Sequence, residues 1–176
     1  MADFEKIDSR VAFEGKLATV RLERFRYDDG EEAEREIVKH PGAVAILARD
    51  GDGLILVRQP REAVGDPALL ELPAGKLDQG EDPLATAKRE LAEEVGKGAR
   101  SWTPVKSFYT SPGFTDEECH VYLATGLSDA SGGTDEHERI DVEVRRLAEL
   151  DAIIDEVRDS KTLIGLLELR RRASRD

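Results

Sequence analysis

The chain has one cysteine, Cys119, so no disulfide can form within it, and the composition fits a reducing compartment. No run approaches the roughly 20 apolar residues of a membrane-spanning helix. The opening residues, MADFEKIDSR, lack the basic-then-apolar order of a signal peptide. Positive charge is also in deficit: 26 Lys and Arg face 38 Asp and Glu, a formal net charge of −12. Nucleic-acid binders concentrate Lys and Arg on one face, so that balance argues against such a partner. Histidine is scarce, with only His40, His120 and His137, scattered along the chain. Proton transfer therefore falls more naturally to carboxylates. A soluble, cytoplasmic chain without membrane or nucleic-acid partners is expected.

What is present is ordinary in amount and unusual in arrangement. At 176 residues the chain suffices for one well-buried domain and a small appendage. Its acidic surplus is a difficulty for any site that takes an anion, so divalent metal and a few local arginines must reverse the field there. Residues 75 to 97, GKLDQGEDPLATAKRELAEEVGK, offer such a place. Leu84, Ala87, Leu91 and Val95 recur at helical steps and predict an amphipathic helix. Asp82 suits its N-cap, Pro83 its first turn and Gly96 its C-terminal stop. Glu90, Glu93 and Glu94 fall at i, i+3 and i+4, on one face of that helix. Like charges so close repel, and a bound cation is an economical reason to collect them. An all-oxygen cluster suits Mg²⁺ or Mn²⁺ rather than a thiol-seeking metal.

This stretch resembles the signature box of Nudix hydrolases, which cleave nucleoside diphosphates linked to another group. The match holds at Gly75, Glu81, Arg89, Glu90, Leu91, Glu93, Glu94 and Gly96. It departs at Lys97, where the family has an aliphatic residue just past the helix end. The resemblance implies that Glu90, Glu93 and Glu94, with the carbonyl of Ala74, ligate the metal, and that Gly75 lets the backbone approach it.

Before the box, Val20 and Leu22 alternate as in a strand, and the alternation resumes out of step at Phe25 and Tyr27, which predicts a bulge. A turn at Asp29-Gly30 leads to a second strand through Glu36-Ile37-Val38. Such a hairpin is marginal alone and needs a further surface. The apolar runs at 43–48 and 54–57, around Asp50-Gly51-Asp52-Gly53, predict a central hairpin covered on both faces. Pro60 predicts that the second run has ended or reached an edge, and 62–69 reads as a loop. The guanidinium groups of Arg58 and Arg61 suit a diphosphate clamp.

Beyond the helix, residues 102–109 and 118–125 read as strands joined by the loop Ser111-Pro112-Gly113-Phe114-Thr115-Asp116-Glu117. Cys119 suits a small core position and His120 a strand surface. A polar loop at 128–139 precedes a strand at 140–144 and two amphipathic helices around 147–157 and 162–169.

Several of these segments are similar to the ADP-ribose pyrophosphatase branch of the family: the run from Arg35 to Ala45, and Pro112 sixteen residues after Gly96 within an SPG triplet. The resemblance implies a Nudix-type α/β/α sandwich with a mixed β-sheet, spanning 41–176. It also implies an N-terminal antiparallel β unit, 1–40, that helps form a homodimer. Arg35 and Glu36 would lie near the adenine, Arg61 rather than Arg58 on the diphosphate, and Pro112 and Gly113 at the substrate. A glutamate of the 128–139 loop would be the general base, Glu138 ahead of Glu136, with Glu93 as the alternative. The implied reaction is metal-dependent hydrolysis of ADP-ribose to AMP and ribose 5-phosphate. Another nucleoside diphosphate sugar such as GDP-mannose, or a module that binds ADP-ribose without cleaving it, are the competing readings.

Overall fold

A computed structural model of the chain describes residues 3–130 and 139–174, in two compact units. The first comprises Met1–Gly42 with Tyr109–Glu118, and the second Ala43–Phe108 with Cys119–Asp176. The first unit thus takes in the loop around Pro112 along with the N-terminal segment.

In the first unit β1 (Phe4–Glu14), β2 (Thr19–Tyr27) and β3 (Glu32–Lys39) form an antiparallel sheet in that order. Three strands stand where the sequence showed two, because β1 carries no alternation to betray it: nearly all its residues are exposed. The bulge expected in β2 belongs to β1, whose register against β2 shifts between Lys6 and Asp8 and between Val11 and Phe13. β2 pairs with β3 without interruption from Thr19↔Lys39 to Arg26↔Glu32. Gly30, at φ 86°, supplies the left-handed residue that the β2–β3 turn requires.

The second unit is built on a mixed sheet. β4 (Ala43–Asp50) and β5 (Gly53–Arg61) are the expected hairpin, with Asp50 opposite Gly53. β9 (Glu118–Asp129) runs parallel to β4, β8 (Lys97–Tyr109) lies beyond β9, and β10 (Asp141–Arg146) pairs antiparallel with β5. β4 and β5 pair only near their turn and then diverge. Two short strands fill the fork: β6 (Asp66–Glu71) on β5 and β7 (Ala74–Lys76) on β4. The segment expected as a loop at 62–69 is therefore a 3₁₀ turn, Glu62–Val64, followed by β6. Pro60 does not end β5. It sits where the register against β6 shifts, a place at which a missing N–H costs no ladder bond.

The alternation of β4 divides the core. Val44, Ile46 and Ala48 face Ala87 and Leu91 of α1 (Pro83–Val95), whereas Ala45 and Leu47 face Ile153 of α2 (Leu150–Glu156) and Leu166 and Leu169 of α3 (Ser160–Ala173). Two helical layers thus enclose the sheet, and the fully buried β4 reads as an unbroken apolar run for that reason. Cys119 is buried among the second set, as its small apolar character predicts.

Candidate functional site

The fork between β4 and β5 holds the candidate site. Ile46 N donates to Pro73 O at 2.8 Å, which fixes the chain just as it enters β7 and places Ala74 and Gly75 beside α1. The helix is set as the sequence predicts. Asp82 accepts from Ala85 N at 3.0 Å, Pro83 opens the first turn, and Gly96, at φ 69°, closes the last.

Each box carboxylate has its own surroundings. Glu94 lies on the buried side of α1 with Ala87 and Leu91, because 87, 91 and 94 follow helical steps. Its Oε2 accepts from Ala74 N at 2.9 Å. The acidic and apolar faces therefore adjoin rather than oppose each other. Glu90 lies flat against Gly75, where any added Cβ would overlap the Glu90 carboxyl. The need for glycine there is steric, and it comes from a metal-ligand candidate rather than from backbone φ. Glu93 is more open, with 42% of its side chain exposed.

Arg89 ties the cluster together. Its Nη1 donates to Glu90 Oε1 at 2.7 Å and to Glu93 Oε2 at 2.9 Å, and Nη2 donates to Glu81 Oε2 at 3.0 Å. This guanidinium and the N–H of Asp78 hold the Glu81 carboxyl well below the usual range, at about 2. The donors about Ala74–Gly75 are all oxygens, which suits a hard divalent ion. Glu90 and Glu93 already converge on one cation, the guanidinium between them. Among the described residues no three His, Cys, Asp or Glu side chains close into a ligand cluster. An ion bound by Glu90 and Glu93 would take over bonds that Arg89 makes here.

The two arginines after the central hairpin differ. Arg58 is engaged by Glu143 at 2.8 Å, Glu156 at 2.5 Å and the Ala68 carbonyl at 3.3 Å. Arg61 forms a fork with Glu71, Nε to Oε1 at 2.6 Å and Nη2 to Oε2 at 2.8 Å, while 39% of the side chain stays exposed. Glu71 is wholly buried and also meets Lys161 Nζ at 2.6 Å. Lys161 continues to Asp159, the N-cap of α3, at 2.9 Å. Sequence reasoning missed this network. A charged residue between Leu70 and Leu72, in an otherwise apolar stretch, was the signal available.

Four further candidates lie in the first unit. Arg35 and Glu36 are exposed on β3, and Arg35 donates to Tyr27 Oη at 3.3 Å. Pro112 and Gly113 are exposed in the loop after β8. Glu136 and Glu138 lie outside the described residues.

The NUDIX domain model matches residues 38–165, most of the chain, with its box on α1 and β7. The chain belongs to the Nudix family. Two relatives match this Nudix chain over most of their lengths. An ADP-ribose pyrophosphatase of Bacillus subtilis is 42% identical over 90% of this chain and 88% of its own. A methanol dehydrogenase activator of Bacillus methanolicus is 40% identical over 93% and 91%. A solved structure described as an ADP compounds hydrolase superposes with a TM-score of 0.86 over 97% of this chain and 94% of the other, at 23% identity, a likeness of fold alone. The Nudix assignment makes this chain a pyrophosphohydrolase of a divalent-metal-dependent class.

Proposed function

We propose that the protein hydrolyses the pyrophosphate bond of ADP-ribose, giving AMP and ribose 5-phosphate. The observation that carries this reading is the seating of two box carboxylates on the β7 backbone, Glu94 on Ala74 N and Glu90 against Gly75, with Glu93 joined to Glu90 through Arg89. The 42% identity to an ADP-ribose pyrophosphatase supports the choice of substrate.

The carbonyl of Ala74 and the carboxylates of Glu90, Glu93 and Glu94 would hold Mg²⁺, with Mn²⁺ as the alternative. A divalent ion so held supplies positive charge to the diphosphate and lowers the pKa of water. Arg61 presents its exposed end to the diphosphate, in the orientation that Glu71 imposes on it. Arg58, held by two carboxylates, contributes through the fold. Arg35 and Glu36 contact the adenine, and Pro112 and Gly113 border the substrate. The proton of the attacking water goes to Glu138 or Glu136, or to Glu93 if neither reaches it. The protein works as a homodimer in the cytoplasm, and Phe4, Phe13 and Leu17, each more than half exposed on the first unit, support pairing there.

The test is hydrolysis of ADP-ribose beside GDP-mannose, NADH and diadenosine polyphosphates, with Mg²⁺ and with EDTA, the products resolved by chromatography. AMP and ribose 5-phosphate from ADP-ribose, lost with EDTA, are expected. Preference for another substrate would overturn the substrate assignment, and metal-independent binding without turnover would replace the enzyme by a sensor. The 40% identity to a methanol dehydrogenase activator favours a second reading, in which the chain stimulates a dehydrogenase. An alcohol dehydrogenase assay with and without the protein tests it.

A further inference from the structure

The loop between β8 and β9 is anchored on the end of β3. Its neck is closed by Thr110, whose N donates to Glu117 O at 3.1 Å and whose Oγ1 donates to Glu117 Oε2 at 2.7 Å. Phe114 N and Thr115 N both donate to Ser111 O, which shapes the tip around Pro112 and Gly113. That tip is not held by core burial: Pro112 and Gly113 are exposed, and Phe114 is 55% exposed. Its placement depends on polar contacts instead. Val38 N donates to Phe114 O at 2.8 Å, and Val38 forms a parallel bridge with Thr115.

Asp116 completes the attachment. Its N donates to Val38 O at 3.3 Å, its Oδ1 accepts from His40 N at 3.0 Å, and its Oδ2 meets Lys39 Nζ at 3.0 Å. One residue thus grips three consecutive residues of the β3 end. Burial works to raise its pKa, but the His40 N–H and the Lys39 ammonium outweigh it and hold the carboxyl below its usual range. The carboxylate is accordingly charged at neutral pH, and its charge is answered by Lys39 rather than turned toward an anionic ligand. Two residues upstream of Val38, Glu36 lies on the same side of β3, since side chains alternate along a strand.

We propose that Asp116 is a positioning residue for nucleotide selection. It locks the exposed Pro112-Gly113 tip in register with the strand that carries Arg35 and Glu36, so that the tip and Glu36 present one surface to the nucleoside of a nucleoside diphosphate sugar. This rests on the reading of those four residues given under Proposed function.

Steady-state kinetics of Asp116→Ala on ADP-ribose and GDP-mannose test it, beside hydrogen exchange at the amides of Val38, His40 and Asp116. The expected result is a KM for ADP-ribose raised about tenfold with kcat within about twofold, the pattern of lost binding rather than lost chemistry. The preference between the two substrates narrows, and the three amides exchange faster. Asp116→Asn, which keeps an acceptor for His40, restores part of the KM, and Lys39→Met, which removes only the ion pair, gives a smaller rise. These two variants carry the test if the alanine variant does not fold. Unchanged KM and preference in the face of faster exchange would overturn the proposal, and so would unchanged exchange. If the wild-type protein prefers a substrate other than ADP-ribose, the function proposed above fails. The effect of Asp116 is then read on the preferred substrate.

Discussion

Gly75 shows how a single residue can serve the site by what it lacks. A methyl group there would occupy the space of the Glu90 carboxyl. Gly75→Ala should therefore displace Glu90 and lower kcat/KM on the order of a hundredfold, since a shift of about 1 Å at a catalytic centre costs that much. Near-normal activity of this variant would show that Glu90 need not hold its place. Glu94→Gln separates charge from hydrogen bonding, because the amide can still accept from Ala74 N. Turnover should vanish while the circular dichroism spectrum and melting temperature stay near wild type. A fully active Glu94→Gln protein would remove the triad from the mechanism. At Glu81 the carboxyl, ordinarily near 4.5, is held at about 2 by Arg89 and the Asp78 N–H. A depressed folded-state pKa adds stability above the unfolded value and loses it as pH falls toward the folded one. The stability advantage of the wild type over Glu81→Gln should accordingly shrink between about pH 4.5 and 2, as followed by denaturant melts across that range.

At the scale of the element, the bounds and caps of α1 were legible. Its cap, its proline, its terminal glycine and its apolar positions are local features, and local features are written in consecutive residues. Asp82→Ala should lower stability by about 1 kcal/mol, the typical worth of an N-cap, as measured by urea unfolding. β6 was not legible. Residues 62–69 read as a loop, and the strand exists because β5 offers it an edge after diverging from β4. β1 was hidden for a similar reason, since its register comes from β2 and not from a buried face of its own. The network of Arg61, Glu71, Lys161 and Asp159 joins β5, β6 and α3 over some ninety residues of sequence, as the Lys161–Glu71 separation shows. Glu71→Gln would leave two cations facing an uncharged group. We expect a loss of about 3 to 5 kcal/mol, the usual cost of breaking a buried pair from one side. A loss under about 1 kcal/mol in urea melts would mean that the pair is solvated in solution.

For the whole molecule, the net charge of −12 places an anionic substrate against a repulsive background. Local cations must oppose it at the site, and Arg89 and Arg61 are already committed to carboxylates. Added divalent metal should therefore raise the melting temperature as well as support turnover, and EDTA should reverse both. The linkage of ion binding to the folded state makes that shift grow with metal concentration.

The sequence by itself determined the box helix with its caps, the central hairpin, the family and the oxygen character of the candidate metal site. The helix, the hairpin and the oxygen character follow from short-range periodicity and spacing, which a linear chain records directly, and the family follows from the resemblance of that box to a known one. Only the tertiary structure decided that Glu94 lies on the buried side of α1, that Gly75 is shaped around Glu90, that Arg61 is forked to a buried glutamate, and that Asp116 fastens the Pro112 loop to β3. Each of these depends on which strand lies beside which. For the first three that adjacency is set by the closing of a mixed sheet between two helical layers, and for Asp116 by the pairing of its loop with β3 inside the first unit; no neighbouring residue in the sequence carries either.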